Sequence, residues 1–283
     1  MDKQIFGVVG LGLIGGSLAK ALKQKPEYEV YGYDINETTL KKAILVNAID
    51  DCLTNEKLSE CDVVIVALYP QDTIDYVKTN AALFKKGSIV LDCCGVKQFV
   101  CDKAEQAAQE NGFIFMGGHP MAGMEHAGFE YSKKALFHNA SMVLTPAKGT
   151  PIEVVQKVKN IFLDLGFTNT QISTPEEHDK IIAFSSQLAH VVSSAYIKSP
   201  SALEHKGFSA GSYKDLTRVA KLNEDMWTEL FLENPENLAL EIDGLIERLA
   251  AYSHSIKSGD AVTLKALLRD GREKKAIIDG ELF

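Results

Sequence analysis

The segment Gly10-Leu11-Gly12-Leu13-Ile14-Gly15 stands between a short apolar run, Ile5–Val9, and residues 12–23, where apolar side chains recur at helical spacing. The sequence therefore predicts a strand, a glycine-rich turn and a helix in immediate succession. A GxGxxG pattern alone is weak evidence, but this context is the one that a dinucleotide-binding turn requires. The alternative is a structural turn whose glycines serve packing only.

Each glycine of the turn has a separate expected task. Gly10 would permit the tight turn, Gly12 would let a pyrophosphate approach the backbone, and Gly15 would let the helix pack on the strand. The helix N-terminus, with Leu13 and Ile14 in its first turn, would offer free N–H groups and a positive dipole end to the phosphates. We therefore assign these five residues to cofactor binding.

Asp34 ends the second strand-like run, Glu29–Tyr33, and lies 19 residues after Gly15. A carboxylate at this place accepts hydrogen bonds from the ribose hydroxyls of NAD and repels the 2′-phosphate of NADP. The sequence therefore favours NAD, although a nearby cation can alter this preference.

The chain divides into two regions by its periodicity. Strand-like and helix-like segments alternate through the first part, and the nearly continuous apolar run Asp62–Leu68 is typical of a strand covered on both faces. We predict a doubly wound parallel sheet of Rossmann type over residues 1–170. Residues 171–283 show almost only helical periodicity and predict an all-helical domain for substrate binding and dimerisation. Its expected helices are Glu176–Lys198, Ala210–Ala220, Asn223–Glu233, Pro235–Gly259 and Asp260–Ile278.

Composition excludes several classes of partner. The 283 residues carry a net charge of −8, so nucleic acid and anionic membranes are poor partners, and no apolar run is long enough to span a bilayer. The five cysteines form no CxxC pair, which predicts neither a disulfide framework nor a zinc site. With no visible signal peptide, we expect a cytoplasmic protein that binds a small molecule and, from its long apolar-striped helices, forms a homodimer.

A second glycine-rich stretch, Gly117–Gly123, follows the strand-like run Phe113–Met116 and contains His119. Loops at the carboxyl ends of parallel strands line the ligand crevice, so His119 would face the nicotinamide. A histidine there suits accepting a proton from a substrate hydroxyl near neutral pH. The alternative is a capping or core histidine.

The helical region supplies further candidates. His190 lies in a predicted helix, twelve residues and more than three turns after His178, and is either a site residue or a core histidine. Lys214 and Arg218, just after Gly211, are four residues apart and share a helix face. In an acidic chain this pair is either a carboxylate-binding site or a solvated basic face.

These motifs together resemble the prephenate/arogenate dehydrogenase family of tyrosine biosynthesis, over nearly the whole chain. The segments that carry the resemblance are Gly10–Gly15, Asp92–Lys97, Gly117–Gly123 with Glu125, Thr174–Asp179, Leu188–His190, Phe208–Arg218 and Asn223–Trp227.

The resemblance implies an NAD-dependent oxidative decarboxylation. Hydride leaves the ring carbon that bears the 4-hydroxyl, the ring carboxylate departs as CO₂ and the ring becomes aromatic. Prephenate would give 4-hydroxyphenylpyruvate, and arogenate would give tyrosine. His119 would take the proton of the 4-hydroxyl, Arg218 would bind a substrate carboxylate beside Lys214 and Gly211, and His190 would shape the site.

Two positions depart from the family pattern. Gly95 stands where relatives often carry Ser or Thr near the catalytic histidine, and Ala189 replaces a proline before His190. The sequence does not decide between prephenate and arogenate. A β-hydroxyacid dehydrogenase and a non-catalytic NAD-sensing module remain the other candidates. The former uses a lysine with an asparagine one helical turn away, and Glu176–Lys198 of this chain contains no convincing pair of that kind.

Overall fold

The computed structural model describes residues 3–124, 126–208 and 210–281, so the motif residue Glu125 lies outside the described residues. The chain forms two compact units, Met1–Asn234 and Pro235–Phe283. The predicted division near residue 170 separates a cofactor-binding from a substrate-binding region, and it stays a prediction.

One eight-stranded sheet organises the first unit, in the order β3-β2-β1-β4-β5-β6-β7-β8. This order reverses between β1 and β4, which creates the crevice where doubly wound sheets bind ligands. The strands are β1 (Gln4–Val9), β2 (Tyr28–Tyr33), β3 (Asp51–Cys52), β4 (Val63–Val66), β5 (Ile89–Asp92), β6 (Ile114–Pro120), β7 (Ser141–Pro146) and β8 (Asn169–Ile172).

The doubly wound sheet and the helical region after it are confirmed, but the sheet is mixed rather than wholly parallel. β7 pairs antiparallel with β6, with Gly118 opposite Leu144, while every other pair in the sheet is parallel. Between β6 and β7 the described residues contain one short 3₁₀ turn, Phe129–Tyr131, and no α-helix, which is the usual crossover between parallel strands. The prediction was wrong for this pair because the general alternation of strands and helices was taken to make every pair of strands parallel.

The central strand β4 explains the continuous apolar run. Val63 and Ile65 belong to the core on one face of the sheet, and Val64 and Val66 to the core on the other. Successive side chains of a strand point to opposite faces, so a strand covered by helices on both sides is apolar throughout.

The described residues also contain twelve α-helices. They are α1 (Leu13–Leu22), α2 (Glu37–Leu45), α3 (Asn55–Leu58), α4 (Pro70–Thr79), α5 (Gln98–Asn111), α6 (Ile152–Asp164), α7 (Pro175–Ile182), α8 (Leu188–Tyr196), α9 (Gly211–Thr217), α10 (Glu224–Leu232), α11 (Pro235–Ser258) and α12 (Ala261–Ile278).

The long predicted helix Glu176–Lys198 is interrupted. α7 starts at a Thr174 capping box, and a π-helical turn over Ala183–Gln187 joins it to α8. Turns of this kind occur often at functional sites because they shift side chains relative to the helical register.

The second unit is a pair of helices. α11 and α12 pack on each other, and the Tyr252 hydroxyl donates to the Leu267 carbonyl oxygen at 3.3 Å. Among the described residues, no helix combines the length and apolar character needed to cross a membrane.

Candidate active site

The glycine turn has the geometry that its sequence predicts. Gly10 has φ +81°, and a Cβ there would lie 2.5 Å from the Ala67 carbonyl oxygen. A Cβ on Gly15 would lie 1.9 Å from the Gly10 oxygen, whereas a Cβ on Gly12 would meet nothing within 4 Å. Gly12 is the N-cap residue of α1 and makes no side-chain cap, so the first N–H groups of the helix have no side-chain acceptor there. This open cradle of backbone donors fits a pyrophosphate.

The Asp34 carboxylate faces the glycine-rich turn and stabilises it through hydrogen bonds. Its Oδ2 accepts from the Leu11 N–H at 2.8 Å and its Oδ1 from the Asn36 N–H at 2.8 Å. Each carboxylate oxygen retains a further lone pair, so the predicted acceptor for ribose hydroxyls is present.

His119 reaches the same edge of the sheet, but from within a strand. It lies near the end of β6, opposite Val143 of β7, and not in a loop as predicted. The antiparallel partner extends β6 by several residues beyond its pairing with β5. Three inter-strand spacings, about 14 Å, separate β1 from β6, which leaves room for an extended dinucleotide along this edge.

A buried ion pair fixes the glycines before His119. The Lys97 ammonium contacts the Asp92 carboxylate, and both side chains are fully buried. Lys97 also donates to the Gly118 oxygen at 2.7 Å, while Asp92 accepts from the Gly118 N–H at 3.1 Å. Burial opposes the charge of Lys97, but Asp92 outweighs it and raises the lysine pKa. A Cβ on Gly117 or Gly118 would clash with Thr145 or with the Asp92 backbone, so only glycine fits.

Hydrogen-bonding contacts link His119 to His178 and His178 to Asp179. Its Nδ1 lies 2.9 Å from Nε2 of His178, whose Nδ1 lies 2.7 Å from Oδ1 of Asp179. Asp179 accepts two further hydrogen bonds from the N–H groups of Lys97 and Gln98, at 2.7 and 2.9 Å. The carboxylate thus caps α5 and holds His178 at the same time.

Burial sets the charge of both rings. It lowers the pKa of His119 well below 6.5, and the proximity of His178 and of the Lys97 charge adds to that effect. Burial also lowers the pKa of His178, against the opposing effect of its hydrogen bond to the Asp179 carboxylate. Both imidazoles are therefore neutral at neutral pH, which is the state that a general base requires.

His190 is the second histidine of the candidate site. Its Nδ1 lies 2.8 Å from the Ser186 carbonyl oxygen, and its ring stacks on Trp227 with centroids 3.9 Å apart. Burial lowers its pKa, and the charge of Arg218 lowers it further. The structure therefore brings His190 and Arg218 near each other.

The predicted substrate residues Gly211 and Lys214 lie on α9, and Arg218 directly follows this helix. Gly211 begins this helix with open space around it, and Lys214 and Arg218 are exposed one turn apart. Lys214 and Arg218 therefore form an accessible basic face.

Gly95 lies directly beside the candidate base. A Cβ on Gly95 would be 4.0 Å from Nε2 of His119 and 3.4 Å from Cδ2 of Leu230. Leu230 belongs to α10, one turn after Trp227, so this helix contacts the surroundings of both His119 and His190. The place that relatives often fill with a hydroxyl is thus small, apolar on one side and within reach of the histidine.

Two family models match this chain along most of its length. Residues 18–169 match the nucleotide-binding domain of prephenate dehydrogenase, and residues 174–270 match its dimerization domain. The chain belongs to the prephenate dehydrogenase family. The resemblance deduced from the motifs is confirmed, and so is its enzyme class, an oxidoreductase with a nucleotide-binding domain.

Individual relatives agree with this family. Prephenate dehydrogenase of Bacillus subtilis is 30% identical over 93% of this chain and 72% of its own length. A solved prephenate dehydrogenase from A. aeolicus, in complex with hydroxyphenyl propionate and NAD+, is 29% identical, with a TM-score of 0.86 over 98% of this chain and 99% of that one. The solved Synechocystis arogenate dehydrogenase is 25% identical, with a TM-score of 0.83 over 97% and 100% of the two chains.

Sequence reasoning missed the residues that support His119. It used the segments Asp92–Lys97 and Thr174–Asp179 only as family signatures, although each contains buried charged or ring side chains. An Asp or Lys inside an otherwise apolar stretch is a usable signal, since such groups are rarely buried without a partner. The pairing of these groups across the fold has no local signature.

Ionisation of Glu233 lowers the stability of the folded protein at high pH. Burial, together with the neighbouring Glu229 carboxylate, raises its pKa to about 8. The folded protein thus holds this proton more tightly than the unfolded chain, and stability falls as pH rises from about 4.5 through 8. Glu233→Gln should raise the melting temperature at about pH 9 but not at about pH 5. We expect a gain on the order of 1 kcal/mol, since the side chain is only half-buried.

Thermal melts at the two pH values check this prediction, with the exposed Glu60→Gln as the control. Equal shifts at both pH values, or the same shift in the control, would contradict the assignment.

Proposed function

We propose that this protein oxidises and decarboxylates prephenate to 4-hydroxyphenylpyruvate, with NAD as the hydride acceptor. The observation that supports this most directly is the placement of His119. Its neutral imidazole stands at the carboxyl edge of the sheet that carries the glycine turn. A base at that edge suits removal of a proton from the hydroxyl whose carbon loses hydride.

The cofactor proposal rests on the glycine cradle and on Asp34. Gly10, Gly12 and Gly15, with the first turn of α1 at Leu13 and Ile14, would hold the pyrophosphate. Asp34 would accept from the ribose hydroxyls and disfavour a 2′-phosphate. NAD supplies the hydride chemistry when bound. The protein has to bind, orient and handle one proton.

The proton of the 4-hydroxyl would pass to Nε2 of His119. Its loss strengthens electron donation into the ring carbon, and aromatisation with loss of CO₂ provides the driving force. His190 and Arg218 would hold the substrate in place, with Lys214 and Gly211 beside them, so that catalysis depends mainly on orientation and electrostatics.

We expect Arg218 to contribute to the binding of prephenate and not to that of NAD. Arg218→Ala should raise KM for prephenate about 10- to 100-fold, the scale of one lost charge-assisted hydrogen bond, and leave KM for NAD nearly unchanged. Steady-state kinetics with each substrate varied in turn measures both constants. Lys221→Ala, an exposed cation three residues later, is the matched control. Equal effects on both KM values would argue against a carboxylate contact.

Arogenate is the second candidate substrate, supported by the likeness to the Synechocystis enzyme. The two molecules differ in a keto or amino group on the side chain. Comparison of kcat/KM for prephenate and arogenate with purified protein tests the proposal. We expect NADH formation with a higher kcat/KM for prephenate. The reverse preference would assign arogenate, and no NADH with either would reject the dehydrogenase.

We also propose a cytoplasmic homodimer. The match to a dimerization domain over residues 174–270 supports the dimer. So do large apolar side chains exposed in the second unit, which include Leu240, Ile246, Leu249 and Ile256. The five cysteines carry free thiols, which supports a reducing compartment.

A further inference from the structure

His178 stands between the candidate base and a buried carboxylate and makes a hydrogen-bonding contact through each ring nitrogen. Its side chain is 1% exposed, and that of Asp179 is fully buried. Neither the glycine motif nor the basic face of α9 includes these two residues. Their arrangement nonetheless determines what His119 can do.

The hydrogen-bond donors and acceptors around His178 determine which of its ring nitrogens carries the proton. Asp179 is an acceptor only, because its oxygens already receive the Lys97 and Gln98 N–H groups as a carboxylate at a helix start. Nδ1 of His178 must then carry the proton and donate to Asp179. In a neutral ring the other nitrogen has no proton, so Nε2 of His178 is an acceptor.

The tautomer of His178 determines that of His119. An acceptor at Nε2 of His178 requires that Nδ1 of His119 donate the proton across their 2.9 Å contact. Nε2 of neutral His119 is then unprotonated, and it is the nitrogen that faces Gly95. We propose that His178, oriented by Asp179, is the positioning residue that holds His119 in the tautomer with a free Nε2 lone pair.

The arrangement also suits the charged state that follows proton uptake. When Nε2 of His119 binds a proton, its Nδ1–H bond to His178 becomes charge-assisted and stronger. The Asp179 carboxylate, one ring further on, supplies the compensating negative charge. A buried carboxylate that orients an imidazole without itself taking the proton is an established catalytic arrangement.

The surroundings keep His178 in this orientation. Asn234 donates to the Asp179 backbone oxygen at 2.8 Å and to Oε1 of Gln187 at 2.8 Å. Gln187 in turn donates to the Leu230 oxygen at 2.9 Å. The π-helical turn that contains Gln187 is thereby connected, through Asn234, to the backbone of Asp179.

This inference rests on the proposed role of His119 as base, so its test needs a readout besides turnover. Nitrogen NMR of the protein labelled with ¹⁵N-histidine reports which ring nitrogen carries the proton. The His119 signals are assigned by their loss in His119→Asn. At neutral pH we expect an unprotonated Nε2 and a protonated Nδ1 on His119. A protonated Nε2 in the unaltered protein would overturn the inference, whether or not prephenate is turned over.

Variants connect the tautomer to catalysis. His178→Leu removes the acceptor and should shift His119 towards the Nε2-protonated form. Its kcat should fall about 10- to 100-fold, with both KM values nearly unchanged, on the scale of one buried hydrogen bond. His178→Gln returns an acceptor oxygen and should recover much of the tautomer and of kcat. Lys180→Leu, exposed on the same helix, is the matched control and should match the unaltered protein.

Two results would count against the proposal even with folded variants. One is a His119 tautomer that does not change in His178→Leu. The other is a loss of kcat in His178→Leu that His178→Gln fails to relieve while the tautomer recovers. If His178→Leu does not fold, the tautomer of the unaltered protein and the His178→Gln comparison still decide the question.

Discussion

His119→Asn should lower kcat for prephenate about 10²- to 10⁴-fold, the usual contribution of a positioned general base. The substitution suits the geometry because an asparagine amide can occupy the place of the imidazole Nδ1. It can then still donate to Nε2 of His178. The base at Nε2 is lost, while the contact that holds the strand end remains. NAD affinity should therefore stay the same.

Steady-state kinetics and calorimetric titration with NAD measure the two effects. The control is His138→Asn, which changes an exposed histidine of the same unit and should alter neither quantity. An unchanged kcat in His119→Asn would remove His119 as the base. A parallel loss of NAD affinity would mean that the substitution disturbs the sheet edge rather than the chemistry.

Lys97→Met should lower the free energy of unfolding by about 3–5 kcal/mol, because it leaves the buried Asp92 carboxylate without its cation. Urea denaturation of the unaltered protein and the variant measures the change. The matched control is Lys85→Met, which breaks the partly exposed pair with Asp62 and should cost at most about 1 kcal/mol. Equal losses in the two variants would show that the buried pair has no special weight.

A double variant separates charge burial from general damage. Lys97→Met combined with Asp92→Asn removes both charges and should be more stable than Lys97→Met alone. It should remain less active than the unaltered protein, since Gly118 loses the lysine contact that places His119. A double variant less stable than the single one would contradict the ion-pair explanation.

The parts of the fold that follow local rules were predictable from sequence. Gly10 and Gly15 have steric requirements that their spacing already states, and β4 reads as apolar because both of its faces are covered. The two-residue strand β3 was missed because two residues carry no periodicity. The π-helical turn was missed because one added residue in a helix hardly alters an apolar pattern.

The site was predictable only in part, for a similar reason. His119, His190 and Arg218 stand in motifs, so they could be named, but no local pattern connects residue 119 to residue 178. Their contact depends on how α7 packs against α5 and β7. The position of His119 inside a strand likewise depends on its antiparallel partner β7, which lies more than twenty residues later in the chain. Such contacts follow from tertiary structure alone.

The most direct test of the account is to measure NADH and CO₂ together when purified protein, NAD and prephenate are mixed. Oxidative decarboxylation predicts that the two appear at the same rate and in equal amounts, with 4-hydroxyphenylpyruvate as the product and neither formed when NAD is omitted. NADH without CO₂, or no NADH from prephenate or arogenate, would contradict it.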